Sequence, residues 1–151
     1  MTEDLRALED WAGALLAKFE PAERRKLTRS VALDLRRSQQ KRITEQRNPD
    51  GTAYEPRKPQ KNLRGKIGRI KRKMFTKLKL AKNLKAQNDD SMAGVAFVKR
   101  VSRIAKVHHY GERDKVDNDG PTVRYAERKL VGFSPGDREL IRDRLLHYLN
   151  G

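Results

Sequence analysis

Among the residues able to do chemistry, the adjacent pair His108 and His109 in "RIAKVHHYG" (103–111) stands out first. Two imidazoles side by side invite a metal site. A zinc site needs three or four ligands held in fixed geometry, and neighbouring helical residues point about 100° apart, so the pair cannot easily share one ion. His147 is the only other histidine and there is no cysteine, so no HExxH or Cys/His spacing arises. Asp89–Asp90 reads as a hairpin turn. Asp114, Asp117 and Asp119 alternate in the manner of calcium ligands, yet no glutamate stands at the twelfth position of an EF-hand loop. Lys66 in "GKIG" lacks the frame of a P-loop. No nucleophile–base pair is visible. The sequence thus points away from an enzyme, a metal and a cofactor. It leaves "RIAKVHHYG" as a structural helix stopped by Gly111, with His108 packed or hydrogen-bonded near the helix end and His109 facing outward.

The elements that would position these residues follow from composition and periodicity. The 151 residues fit one domain. Hydrophobic residues make up 36% and charged residues 37% of the chain, so the expected core is thin unless partner subunits complete it. Lys and Arg number 36 against 20 Asp and Glu, a net charge of +16. That excess equals what residues 21–82 carry alone; the acidic first 20 residues and the rest of the chain cancel. A basic block beside a neutral half suggests one surface made for an anionic partner, either nucleic acid or an acidic protein. Without cysteine there are no disulfides or thiolate sites, which suits a reducing compartment. No apolar run approaches a membrane span, and the acidic, amphipathic "MTEDLRALED" does not read as a signal peptide.

The expected fold class is α+β: N-terminal helices, a basic extended arm and helix, a small antiparallel sheet with a short helix, and a C-terminal helix. Within a single unit over 1–151, residues 1–47 form a helical part, 48–68 an extended basic arm and 69–151 the α+β part. Leu5, Leu8, Ala12, Leu15, Leu16 and Phe19 share a helical stripe, with Thr2 as N-cap. Pro21 opens a second helix to about Gln46, with Leu27, Val31, Leu35 and Ser38 on one side and basic residues, Arg42 among them, on the others. "NPDG" (48–51) ends it in a turn. Pro56 and Pro59 keep the next stretch extended. Ile70, Met74, Phe75, Leu78 and Ala81 predict a helix from about Arg69 to residue 80. A hairpin over 83–88 and 91–98 follows, with Gly94 marking a bulge. Val101, Ile104, Ala105 and His108 form the inner face of the short helix. Residues 112–120 read as a charged loop and "TVRYAE" as a strand. Ser134 caps the last helix, with Pro135 at N1 and Asp137 at N3, and its apolar face is Leu140, Ile141, Leu145, Tyr148 and Leu149.

Two sets of side chains are assigned to binding. Tyr54 is either folded back on the core or an anchor in a neighbouring subunit. With Trp11 and Arg57 it makes up the set assigned to partner or oligomer contact. Arg69, Lys71, Arg72 and Lys73, within "RGKIGRIKRK", are assigned to an anionic partner, although such a run also suits a solvated face.

The order "LRRSQQKRI", "NPDGTAYEPRK", "GRIKRKMFTKL", hairpin, "RIAKVHHYG", charged loop and "RKLVGFSPGDRELI" resembles the tail completion proteins of the phage virion morphogenesis family, from contractile-tailed phages. The most telling pieces are "PDGTAYEPR", the His–x–aromatic–Gly at His108–Gly111, and "LVGFS". Where that family often has a proline before its Leu–x–Gly–Phe segment, this chain has Lys129. The resemblance implies a non-enzymatic virion protein at the head-proximal end of the tail, assembled in the host cytoplasm. It implies a homo-oligomeric ring, often six-fold, in contact with the tail tube or terminator and with head-neck proteins, and in transient contact with DNA. The alternatives are a basic, non-specific nucleic-acid-binding protein and a transient tail assembly chaperone.

Overall fold

The computed structural model describes residues 2–58, 60–61, 67–68, 72–115 and 120–150. The fold is α+β, as expected. In chain order the elements are α1 (Thr2–Leu16), α2 (Pro21–Thr44), β1 (Gln60–Lys61), β2 (Ile67–Gly68), β3 (Leu84–Asn88), β4 (Ala93–Phe97), α3 (Lys99–Tyr110), β5 (Arg113–Lys115), β6 (Thr122–Arg124) and α4 (Pro135–Asn150). The strands form three antiparallel pairs among the described residues: β1 with β2, β3 with β4, and β5 with β6.

Helix α2 is the spine. Its buried side presents Leu27, Val31, Leu35 and Ile43, and it packs against the β3–β4 hairpin and against α4. Pro21 is its first residue, where a missing N–H costs nothing. The helix ends before Gln46 and Gly51, which take positive φ values of 58° and 90°, and the chain reverses through Asn48–Gly51. The core collects Ile43 from α2, Tyr54 after the turn, Leu78, Ala105 from α3 and Leu130, with Met74, Phe75, Phe97 and Val101 packed around them.

Helix α4 begins on a reciprocal cap. The Ser134 hydroxyl accepts the Asp137 N–H at 3.1 Å, and the Asp137 carboxylate accepts the Ser134 N–H at 3.0 Å. Asp137 is itself buried and also takes hydrogen bonds from Ser38 and Gln39 of α2. Farther along, Arg144 grips Asp34 with two hydrogen bonds of 2.7 and 3.1 Å.

The structure departs from the sequence-based expectations at several points. Over its described part, the helix expected from Arg69 to residue 80 is a chain of turns. The side chain of Gln46 supplies the reason. Its amide donates to the Met74 carbonyl at 2.9 Å and accepts the Met74 N–H at 2.8 Å, diverting both groups from a helical ladder. Phe75 then sits at φ 66°, which turns the chain. The extended arm folds back on itself through the β1–β2 pair. The β3–β4 register runs unbroken from Leu84↔Phe97 to Asn88↔Ala93, so Gly94 marks no bulge. The inner face of α3 is rotated, with Val107 buried and Ile104 45% exposed. The charged loop after Gly111 opens as β5. Thr2 is the first residue of α1 rather than its cap, and Leu149 of α4 is exposed.

Candidate partner-binding groove

Residues 125–132 have no regular secondary structure, yet side chains from three elements hold them. Arg42, expected on a polar side of α2, is buried. Its guanidinium donates to the carbonyls of Arg47 and Lys129 at 3.1 Å and of Leu130 at 3.0 Å, and to Gln39. Burial pulls its pKa down from the ordinary value, while Tyr54 and Asp137 nearby oppose the shift. Tyr54 is 5% exposed, donates its hydroxyl to Lys129 O at 2.9 Å and meets Phe75 edge-on. Of its two readings, the structure takes the one folded back on the core; the side chain is spent inside its own chain. Lys129 itself donates its N–H to Asn48 Oδ1 at 2.9 Å, a bond a proline at that position could not make.

The two histidines divide their work differently from the expectation. His109 does not face outward: its Nδ1 accepts the Leu130 N–H at 3.2 Å. His108 lies between Phe75 and Tyr125, with ring centroids 5.1 and 4.7 Å away, and its buried Nδ1 has no hydrogen-bond partner among the described residues. Burial lowers both pKa values from the ordinary 6.5, with Arg128 adding to the shift at His108 and Lys129 at His109. Burial thus favours the neutral form of both rings. Gly111 then closes α3 at φ 67°, and a Cβ there would stand 2.9 Å from Glu127 N.

Arg128 joins this unit to the arm. It is buried and donates to the carbonyls of Glu55 at 2.7 Å and Pro56 at 3.1 Å. Between the arm at Glu55–Lys58 and the segment Val123–Arg128 lies a groove of about 820 Å³, floored by Met74, Phe75 and His108. Arg57, Lys58, Arg124 and Arg128 line it against Glu55 and Glu127. Periodicity carried no sign of this groove, because its walls are extended and non-periodic. The sequence signals that mark it are Pro56 and the cluster around Gly111.

The other assigned residues lie elsewhere. Trp11 is 38% exposed and borders a cleft with Arg138 and Arg142 of α4. Arg57 stands at the groove and donates to Arg72 O. Arg72 and Lys73 are exposed, whereas Arg69 and Lys71 lie outside the described residues. So do Asp117 and Asp119; Asp114 pairs with Arg103 at 2.8 Å. Among the described residues no three His, Asp or Glu side chains are grouped to hold a metal ion, and no helix is long and apolar enough to cross a membrane.

The three motifs singled out in the sequence meet here. Gly132 lies against Pro49, such that a Cβ on it would come within 2.7 Å of the ring. Tyr54 and Asn48 hold Lys129, and the histidine pair contacts Arg128 and Leu130 through backbone and ring. Residues 3–150 match the sequence model of the Phage virion morphogenesis family. Over 147 residues, 97% of each chain, the sequence is 37% identical to tail completion protein S of Escherichia phage P2. No solved structure matches.

Proposed function

Because the chain belongs to the phage virion morphogenesis family, we propose that it is a non-enzymatic structural protein that completes the head-proximal end of a phage tail and lets a head join it. The observation that carries this reading is the near full-length likeness to a tail completion protein. The convergence of its most telling motifs in one cross-braced unit supports it further.

In this reading the chain acts as a homo-oligomeric ring seated on the tail tube or its terminator, facing the neck proteins of the head, and it remains in the virion. Its basic side, with Arg25, Arg29, Arg37 and Lys41 exposed along α2, faces acidic protein or passing DNA. The test is complementation: tails made without this chain are mixed with purified chain and filled heads. Restoration of infectious particles in proportion to added protein is expected. No restoration over tails alone sinks the reading. Tight, steeply salt-dependent binding to free DNA without restoration would favour the nucleic-acid-binding alternative.

A further inference from the structure

The groove beside Arg128 combines four features that general bracing does not require. It is large, within the about 300–1,000 Å³ typical of binding clefts. Its floor holds a buried ring nitrogen, His108 Nδ1, with no partner among the described residues, and buried polar atoms are normally paired. Phe75, also on the floor, sits at φ 66°, a conformation costly for an aromatic residue and one that gathers at binding sites. Finally, the walls are tied by the Arg128 side chain to the carbonyls of Glu55 and Pro56, so a slot is held open between two extended segments.

We propose that this groove receives an extended, acidic segment of a partner protein. Shape and charge select that occupant. The walls run along Glu55–Lys58 and Val123–Arg128, and an extended segment laid between them would alternate its side chains down and out. The downward positions meet Met74, Phe75 and Tyr125, which favours apolar residues. The outward positions meet a basic rim: Lys58 and Arg124 are exposed and Arg57 half-exposed. Of the two opposing carboxylates, Glu127 already lies 4.0 Å from Lys129. A DNA backbone suits the site less well, since the floor is apolar. The inference deepens the tail-assembly reading and rests on it only for where the partner is found.

The test uses the full chain, labelled with ¹⁵N, and three probes: a peptide alternating Asp and Val, one alternating Lys and Val, and random-sequence duplex DNA. The acidic peptide is expected to shift the amides of residues 55, 57, 58, 108 and 123–128, and the lysine peptide to leave them in place. The exposed pair Lys58→Glu and Arg124→Glu should weaken binding about tenfold with an unchanged spectrum elsewhere. An equal response to both peptides, a response to DNA alone, or no groove response would each overturn the proposal. Complementation separates the two readings. A double variant that restores joining fully overturns the groove and leaves tail completion standing. If the unaltered chain restores nothing, tail completion falls, and the peptide titration still decides the groove.

Discussion

Helix α1 and the segment 125–132 invert the usual relation between regular structure and firmness. α1 is fifteen residues of unbroken helix, yet Leu8 alone of its described side chains is buried. Beneath it lies a cavity of about 350 Å³ lined by Leu27, Val31, Leu35 and Leu145. Its ties to α4 among the described residues include the Asp4–Arg138 pair at 3.3 Å, exposed on the Asp4 side, and the Phe19–Tyr148 ring contact just beyond its end. The segment 125–132 has no repeating hydrogen bonds, but Arg42, Tyr54, His109, Asn48 and Gln39 each hold its backbone. Buried, hydrogen-bonded polar groups are costly to break, whereas a helix held by few apolar contacts opens locally at low cost. The firm region therefore frames the groove, and the loose one opens locally at lower cost.

The largest break in this contrast should come from Arg42→Met. It leaves the carbonyls of Arg47 and Leu130 without the Arg42 donor and Lys129 O with Tyr54 alone, and the expected loss is about 3 kcal/mol in denaturant unfolding. A loss below about 1 kcal/mol would mean that the segment is held by something else. Next comes Gly111→Ala, which combines a left-handed backbone with a 2.9 Å approach to Glu127 N; a cost of about 2 kcal/mol or more is expected in the same assay.

Acid should act on the firm region through the histidines. Their folded pKa values lie below the ordinary 6.5, so the unfolded chain binds more protons as pH falls through that value. The stability contributed by the neutral rings is complete above about 6.5 and is lost as pH drops towards the folded pKa values. Stability measured between pH 7.5 and 5 should decline, and His108→Phe should flatten the slope. An unchanged slope would assign the decline elsewhere. The smallest effect belongs to the loose region. Ala12→Val adds methyl groups at the edge of the α1 cavity and should stabilise by roughly 0.5 kcal/mol, offset in part by helix propensity. A loss of more than about 1 kcal/mol would show that the space is already filled on packing.

What was legible in the sequence follows the same division. Helices α1, α2, α3 and α4 were readable because periodicity, Pro21, Gly111 and the Ser134–Asp137 pair act within a few residues. The bracing was not, since Arg42 in a run of basic residues looks like any solvated charge, and its partners lie 87 and 88 positions away. The helix expected after Arg69 failed for a similar reason: Gln46, 28 positions earlier, claims the Met74 backbone. The anchor reading of Tyr54 lost to burial that depends on Lys129, 75 positions on. Local signals placed the elements, and long-range polar contacts built the site.

A reconstruction of the particle neck tests the central claim most directly. Density fitting this fold is expected at the head-proximal end of the tail, with an extended segment of a neighbour lying along Glu55–Lys58 and Val123–Arg128. Finished particles with no such density there, or with the chain at the opposite end of the tail, would contradict it.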